Sequence, residues 1–343
     1  MVSQPRTCGN DDCNLADDGK CVEGYELDEC PHVGRISMDD IEVVPDDAED
    51  VVEPEATMQL RSGEPLNRDT ASKLQRRRLS RGMGLIGPND SGKTSLIAGL
   101  YDLFQAGPVS GVSFAGSSTL IGFENVCHLA RAVSRRVNPH TERTIVGADA
   151  TFFHLDLHRE GEDIVSLFIG DRSGEDYLSA SDELARAEEF FELRRADCVT
   201  LLVNGEQLAD GEKRHDVKAI TPQIVEALVE AKSVREGCRL AIVLTKKDVV
   251  VSSPHVERIE REFEELVAQI RGAHSDYMGE IRAFTVAASP QDCERVTRGE
   301  GIGELLLFWL ETATAPMTRL PRSRDTMPRM MDRFGHGGRS NDE

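Results

Sequence analysis

The segment at residues 87–94 constrains the fold of this chain more than any other stretch of its sequence. It reads Gly-Pro-Asn-Asp-Ser-Gly-Lys-Thr, a complete G-x-x-x-x-G-K-[ST] match. A short apolar run at 83–86 precedes it and predicts a strand, and apolar residues at helical spacing follow it as far as residue 104. A strand, a glycine-rich turn and a helix in this order form a loop whose backbone amides bind phosphate.

Each part of this loop has a physical task. Gly87 and Gly92 let the backbone turn so that its amides point inward. Lys93 supplies a mobile positive charge to the β- and γ-phosphates, and the Thr94 hydroxyl is a hard oxygen ligand for Mg²⁺. The residues that we expect to bind the nucleotide are Gly87, Asn89, Asp90, Ser91, Gly92, Lys93, Thr94 and Ser95.

Short apolar runs and amphipathic stretches alternate after this loop. Strands are predicted at 151–157, 164–169, 198–203, 240–244 and 281–286, and helices at 184–195, 220–231, 255–271 and 303–313. This order predicts an α/β domain with a mostly parallel sheet and helices on both faces. Alternation within 151–157 predicts one exposed face there, on which we expect His154 and His158.

A second motif follows the apolar run at 164–169. Residues 168–175 read Phe-Ile-Gly-Asp-Arg-Ser-Gly-Glu. Asp171 is expected to meet the Mg²⁺ ion, and the Gly174 amide to reach the γ-phosphate. The loop would then respond to loss of that phosphate.

A third motif, Thr245-Lys246-Lys247-Asp248, follows the apolar run at 240–244 and fits [NT]-K-x-D. The Asp248 carboxylate can accept hydrogen bonds from guanine N1–H and from the 2-amino group, a pair of donors that adenine lacks. Lys246 would lay its aliphatic stem across the base. The backbone amide of Ala288 is expected to contact guanine O6. These residues predict a site for GTP and argue against an ATPase.

The three motifs, in this order and each at a strand end, resemble those of the translation-factor-related class of P-loop GTPases. The resemblance covers residues 80–315. With the cysteine-rich N-terminus and a long insertion, the chain is also similar to the bacterial double-GTPase group, which is associated by genomic setting with multi-component conflict or defence systems. The resemblance implies a switch that binds GTP and Mg²⁺, hydrolyses GTP to GDP and phosphate, and has protein partners such as an effector or a second GTPase.

Two departures from the family pattern bear on catalysis. The insertion at 107–145 obscures the first switch, for whose Mg²⁺-binding threonine we choose Thr144, with Thr141 next. Glu175 stands where many GTPases have a water-orienting glutamine, and its charge repels the γ-phosphate, so slow turnover is expected. The predicted catalytic residues are Lys93, Thr144, Gly174 and Glu175. The alternative function is a guanine-nucleotide-binding scaffold that hydrolyses poorly.

An internal arginine finger is a further possibility that the family implies. Arg143 and Arg172 are the candidates. For either residue, a plain surface arginine is the competing interpretation.

Four of the eight cysteines, Cys8, Cys13, Cys21 and Cys30, lie in residues 1–35. The segment has little apolar material with which to fold, and the cytosol disfavours disulfides. Four thiolates, or three with His32, can hold Zn²⁺ tetrahedrally and stabilise a small module. The spacing is not a paired C-x-x-C, so free thiols remain the alternative.

Composition sets the remaining boundaries. The net charge of −21 disfavours binding to nucleic acid. No run of 18 apolar residues predicts a transmembrane helix and no apolar N-terminal stretch predicts export, so we expect a cytoplasmic protein. We predict a zinc module at 1–35, an acidic disordered linker at 36–79, the GTPase domain at 80–315 and a disordered tail at 316–343.

Overall fold

The structure is a computed structural model, and it describes residues 7–8, 33–34, 62–134, 147, 149–290 and 295–311. The chain divides into two compact units, residues 1–59 and 60–343. In the first unit, strand β1 (Thr7–Cys8) pairs antiparallel with strand β2 (Val33–Gly34), so that Cys8 lies opposite Val33.

The second unit is built on one sheet of seven strands. They are β3 (Ser80–Ile86), β4 (Val112–Gly116), β5 (Thr151–Arg159), β6 (Val165–Asp171), β7 (Cys198–Asn204), β8 (Arg239–Thr245) and β9 (Ile281–Thr285). Their order across the sheet is β4-β5-β6-β3-β7-β8-β9. The strands from β6 to β9 in this order are parallel, whereas β5 pairs antiparallel with β6 and β4 with β5. The prediction of a mostly parallel sheet is confirmed.

Helices connect the strands and flank the sheet. They are α1 (Arg68–Gln75), α2 (Lys93–Ala106), α3 (Leu120–Ser134), α4 (Gly174–Asp182), α5 (Leu184–Ala187), α6 (Phe191–Arg194), α7 (Gly205–Ala209), α8 (Lys213–Glu230), α9 (Lys247–Ser252), α10 (Val256–His274) and α11 (Ile302–Leu310). Within the described part of the chain, none of them combines the length and the hydropathy needed to cross a membrane.

Strand β8 shows why both faces of the sheet are covered. All of its residues are buried. Leu240, Ile242 and Leu244 belong to one apolar cluster with residues of α4, α8 and α10. Ala241 and Val243 belong to another with residues of α2, α3 and α11. Since side chains alternate along a strand, a continuous apolar run is what a sheet with two covered faces requires.

The prediction of an exposed face on β5 is wrong at His154. This side chain is 3% exposed and packs against Phe168, with ring centroids 4.8 Å apart. The backbone N–H of Ser118 donates to His154 Nδ1 at 3.0 Å. Phe152, two residues earlier on the same face of the strand, is buried as well, and of the two histidines only His158 is exposed as predicted.

Helix α1 lies inside the segment that we predicted to be a linker. Asn67 caps its first turn by accepting from the Thr70 backbone N–H at 2.9 Å. Ala71 and Leu74 are buried, in one cluster with Phe152. The folded part of the chain therefore begins before residue 80.

Two further elements differ from the sequence-based expectation. The predicted helix at 184–195 is divided into α5 and α6, with Phe190 buried between them. Its ring packs edge-on against Tyr177, with centroids 5.1 Å apart. The predicted insertion at 107–145 contributes β4 and α3, so part of it extends the sheet.

The topology marks one edge of the sheet as a place for ligands. Strand β3 is central, the chain continues from it to β4, β5 and β6 on one side, and then crosses to β7, β8 and β9 on the other. In open α/β sheets of this kind, ligands bind beyond the carboxyl ends of the strands at the point where the order reverses. Residue 87 follows β3 at that point.

Candidate nucleotide-binding site

The loop at 87–92 has a backbone shape that demands glycine. The φ angles of Gly87 and Gly92 are 151° and 95°, and that of Asp90 is 59°. A Cβ on Gly87 would lie 2.8 Å from Ser91 Oγ and 3.0 Å from a backbone oxygen of β7. Helix α2 then begins at Lys93, and no side chain caps its N-terminus. The first helical N–H groups are thus available to an anion.

Lys93 lies inside this loop. Its Nζ donates to the carbonyl oxygens of Gly87 at 2.8 Å and Pro88 at 3.1 Å. Burial lowers the pKa of Lys93 to about 8, although the negative charges of Asp171 and Asp90 oppose this shift. A buried ammonium with a lowered pKa is a group that an anion would stabilise.

Asp171 and Thr94 suit a magnesium ion. Asp171 ends β6, is 8% exposed, and is near enough to act on the pKa of Lys93. Thr94 lies in the first turn of α2. Mg²⁺ is held by few protein oxygens together with phosphates and water, and these two side chains are of that kind. Among the described residues, no group of three or more His, Cys, Asp or Glu side chains forms a metal site.

The turn at the start of α4 touches the phosphate-binding loop. Asn89 Nδ2 donates to Glu175 Oε1 at 2.8 Å. A Cβ on Gly174 would lie 2.6 Å from the backbone nitrogen of Asn89 and 2.6 Å from its Oδ1. Ser173 accepts from the Glu175 backbone N–H at 3.3 Å through its Oγ and so caps the helix. The two predicted motifs are therefore in direct contact.

Arg172 is not a surface residue, so that interpretation of it is wrong. Its side chain is 7% exposed and donates to Glu192 through Nε at 2.8 Å and Nη2 at 3.2 Å. The guanidinium lies 4.9 Å from the Phe190 ring centroid. Burial lowers the pKa of Arg172, but the hydrogen bonds and charge of Glu192 raise it above its ordinary value. The other candidate finger, Arg143, lies outside the described residues.

The first-switch threonine stays a prediction. Thr144 and Thr141 lie in the part of the chain that the structure does not describe. Gly147, three residues after Thr144, donates its backbone N–H to Asp176 Oδ1 at 3.0 Å. The segment that follows these threonines therefore meets the first turn of α4.

Thr245, at the end of β8, joins the third motif to the first. Its hydroxyl lies 2.8 Å from the Ser91 carbonyl oxygen and 3.2 Å from that of Val203, and donates to them. Gly92 approaches the same side chain, with a Cβ there 3.6 Å from Thr245 Cβ. Asp248 is buried in the first turn of α9. The predicted base and phosphate motifs are thus neighbours.

Lys246 is held in place beside this contact. Its backbone is left-handed, with φ at 56°, and it precedes helix α9. Its Nζ forms an ion pair with Glu206 Oε2 at 2.6 Å. Glu206 was not predicted from the sequence.

The loop that carries Ala288 is fastened to the third motif. The Lys247 backbone N–H donates to the Val286 carbonyl oxygen at 3.1 Å, and Lys247 Nζ to Glu300 Oε1 at 2.7 Å. This hydrogen bond lowers the pKa of Glu300. On the other side, a Cβ on Gly99 of α2 would lie 3.0 Å from the Ala288 carbonyl oxygen. Glycine lets α2 approach this loop closely.

Asn204 supports the phosphate-binding loop and was missed by the sequence analysis. Its Nδ2 donates to the Asp90 carbonyl oxygen at 2.9 Å. Its Oδ1 accepts from the backbone N–H groups of Glu206 at 3.0 Å and Gln207 at 3.3 Å, which caps α7. A polar residue that ends a buried strand was the available signal, since the predicted residues of β6 and β8 have the same position.

The fold and these converging loops define a P-loop nucleotide-binding domain of the GTPase class. The family model described as Double-GTPase 2 matches residues 81–310, and the chain belongs to this family. The resemblance predicted from the motifs is thereby confirmed.

No curated protein sequence matches the chain. Among solved structures, the chain is similar to "Signal recognition particle receptor SRb-GTP/SRX complex from Chaetomium thermophilum", with 18% identity and a TM-score of 0.35 over 66% of this chain and 97% of that one.

The Thr245 contact predicts a change in stability. Thr245→Val removes the hydroxyl that holds the Ser91 carbonyl, so the free energy of unfolding should fall by about 1–2 kcal/mol. Thr245→Ser keeps the hydroxyl and should lose less. Urea unfolding followed by the fluorescence of Trp309, the one tryptophan of the chain, measures both. A valine variant as stable as the wild type would show that this bond does not support the loop.

Proposed function

We propose that this chain is a GTP-binding switch that requires Mg²⁺ and hydrolyses GTP slowly to GDP and phosphate. The observation that carries the proposal is the hydrogen bond from Thr245 to the Ser91 carbonyl at 2.8 Å. It supports one nucleotide bridging a phosphate-binding loop and a guanine-recognition motif. The membership of the Double-GTPase 2 family supports the same function.

The phosphate end of the site attracts a polyphosphate electrostatically. The uncapped N-terminus of α2 offers N–H groups and the positive end of a helix dipole. Lys93 would exchange its bonds to the Gly87 and Pro88 carbonyls for charged phosphate oxygens. Gly87, Asn89, Asp90, Ser91, Gly92, Thr94 and Ser95 complete the proposed phosphate-binding set.

The base end selects guanine by a buried carboxylate. Asp248 would accept from the N1–H and 2-amino groups of the base, and its 6% exposure makes an unmatched base costly. The ion pair with Glu206 holds Lys246 where its stem can cover the base plane. Ala288, fastened to the same loop, would offer its backbone N–H to O6.

Hydrolysis depends on the turn that begins α4. Gly174 would donate its backbone N–H to the γ-phosphate, and Glu175 would orient the attacking water. Bound through Thr94, Asp171 and Thr144, Mg²⁺ would neutralise charge on the phosphates. The contact between Gly147 and Asp176 supports a link between the first-switch segment and the turn that begins α4. A carboxylate at position 175 repels the γ-phosphate, so unaided turnover is slow.

The wider role rests on resemblance. We propose that the switch is one component of a multi-protein bacterial system and is read by an effector or by a second GTPase. A scaffold that binds guanine nucleotide and hardly hydrolyses it is the second candidate, which Glu175 favours. Multiple-turnover release of phosphate, measured with and without cell extract, distinguishes them, since the scaffold would stay inactive in both.

Guanine selectivity is the first expected outcome. GTP should displace a fluorescent GDP analogue at concentrations roughly 10²-fold or more below those of ATP. Asp248→Asn should weaken GTP by about 10- to 100-fold. It should bind xanthosine triphosphate better than GTP, because the asparagine amide donates to the 2-carbonyl of xanthine. Competition binding in magnesium buffer measures these affinities.

The matched control for this experiment is Asp276→Asn, which removes one charge at an exposed turn outside the site. It should leave both affinities unchanged. Equal displacement by GTP and ATP would overturn the guanine assignment, and no binding of either nucleotide would overturn the proposed function.

Nucleotide binding above about pH 8 should be coupled to proton uptake by Lys93. Before binding, the pKa of Lys93 is about 8, and phosphates raise it because they favour the ammonium. The affinity for GDP is therefore highest below this pKa, where Lys93 is already charged. Above it the affinity falls by up to about tenfold per pH unit, because binding must then protonate the lysine. Calorimetry in two buffers of different ionisation enthalpy should show little uptake near pH 7 and part of a proton at about pH 8.5.

Lys93→Arg is the control for this linkage. Its guanidinium stays charged over the whole range, so whatever binding remains should show no uptake from this position. An equal proton count for the wild type at both pH values would contradict a lowered pKa at Lys93.

We also propose a structural zinc ion in the N-terminal unit. Cys13, Cys21 and Cys30 lie outside the described residues, but the pairing of Cys8 with Val33 supports a site, because Val33 follows Cys30 by three positions. Elemental analysis of the full chain should give about one zinc per molecule. The Cys13→Ser/Cys21→Ser variant should give none. A wild type without zinc would exclude this module.

A further inference from the structure

One side chain of the phosphate-binding loop contacts the residue proposed to orient water. Asn89 Nδ2 donates to Glu175 Oε1 at 2.8 Å, across 86 positions of sequence. We propose that Asn89 is a positioning residue for Glu175 and sets the direction of its carboxylate during GTP hydrolysis. This inference rests on the proposed function and deepens it.

The backbone of Glu175 is already fixed. Its N–H donates to Ser173 Oγ at 3.3 Å, and its carbonyl oxygen accepts from Ser179 Oγ at 2.8 Å. The torsions of a glutamate side chain carry considerable rotamer entropy, and these two backbone bonds do not restrict them. A hydrogen bond at the carboxylate end restricts those torsions where a bond to the backbone does not.

Asn89 is itself fixed by its close approach to Gly174. A Cβ on Gly174 would lie 2.6 Å from Asn89 Oδ1 and 2.6 Å from the Asn89 backbone nitrogen. The absence of a side chain at Gly174 therefore lets the asparagine lie against the turn. The amide nitrogen must face Glu175, since an ionised carboxylate only accepts hydrogen bonds.

A neutral donor at this position has two effects on the carboxylate. It fixes the plane of the group, so that the direction in which the carboxylate meets a water is defined. It also draws off part of the negative charge near the γ-phosphate, where that charge is unfavourable. Both effects act on the reaction more than on nucleotide binding, so they separate the rate of hydrolysis from affinity.

Single-turnover hydrolysis by the full chain, together with GTP affinity, tests the proposal. Asn89→Ala should slow hydrolysis roughly tenfold and change affinity less than about threefold, because alanine keeps the backbone amide through which a loop residue binds phosphate. The loss should persist in a Glu175→Gln background, because glutamine still accepts through its Oε1, and vanish in a Glu175→Ala background. Asn89→Asp, which cannot donate, should be slower still. Combining it with Glu175→Gln should restore part of the rate, since the glutamine amide then donates.

A surface control uses the same substitution at Asn125, which is exposed on α3, and Asn125→Ala should match the wild type. Unchanged or faster hydrolysis by Asn89→Ala overturns the inference. A loss of equal size in the Glu175→Ala background overturns it too, because Asn89 would then act independently of Glu175. A wild type that binds GTP without hydrolysing it removes the inference together with the hydrolytic part of the proposed function. A wild type that does not bind GTP refutes the proposed function itself.

Discussion

The buried ammonium of Lys93 is the constraint on which this site depends. A cation held by two backbone carbonyls, with its pKa lowered by burial, is only partly compensated. Burial lowers this pKa by more than the nearby carboxylates of Asp171 and Asp90 raise it. The loop can close around the lysine because glycine adopts the angles required at 87 and 92. An anion bound at the uncapped helix N-terminus would complete the charge balance.

Polar residues at the ends of parallel strands hold the rest of the site around that lysine. Thr245 fixes the Ser91 carbonyl and Asn204 fixes the Asp90 carbonyl, so two strand ends support two consecutive peptides of the loop. Asn204 also caps α7, which carries Glu206, the partner of Lys246. The phosphate end and the base end therefore share a scaffold. We therefore expect a substitution at one strand end to affect both ends of the site, including at residues without a predicted contact to nucleotide.

Sequence reasoning located what depends on local pattern. Apolar runs that form parallel strands precede the loop at 87–94, Asp171 and Thr245. The carboxyl ends of parallel strands lie at the same edge of a sheet, so these residues come close together in any order of the strands. Predictions from the sequence were wrong or missing where a segment distant in sequence determines the burial or the contacts of a residue. His154 was expected to be exposed because its strand alternates, but its face is closed by the neighbouring backbone of Ser118 and the ring of Phe168. The bond between Asn89 and Glu175 joins residues that no local pattern relates.

The contacts of the second motif divide it into an anchored part and a responsive part. Arg172 and Glu192 form a buried, bidentate ion pair. Removing one partner would leave a buried charge unpaired, at a cost of about 3–5 kcal/mol. The turn is therefore fixed through Arg172. Gly174 and Glu175 are held to the loop by close packing and by a hydrogen bond from Asn89, and a hydrogen bond to a charged group contributes about 1.5–3 kcal/mol. We expect a phosphate bound between the loop and this turn to change the weaker contact first. Asp176, one residue after Glu175, accepts from the Gly147 backbone N–H at 3.0 Å and lies 3.9 Å from Arg172, so it joins the anchored part to the segment that follows the first-switch threonines.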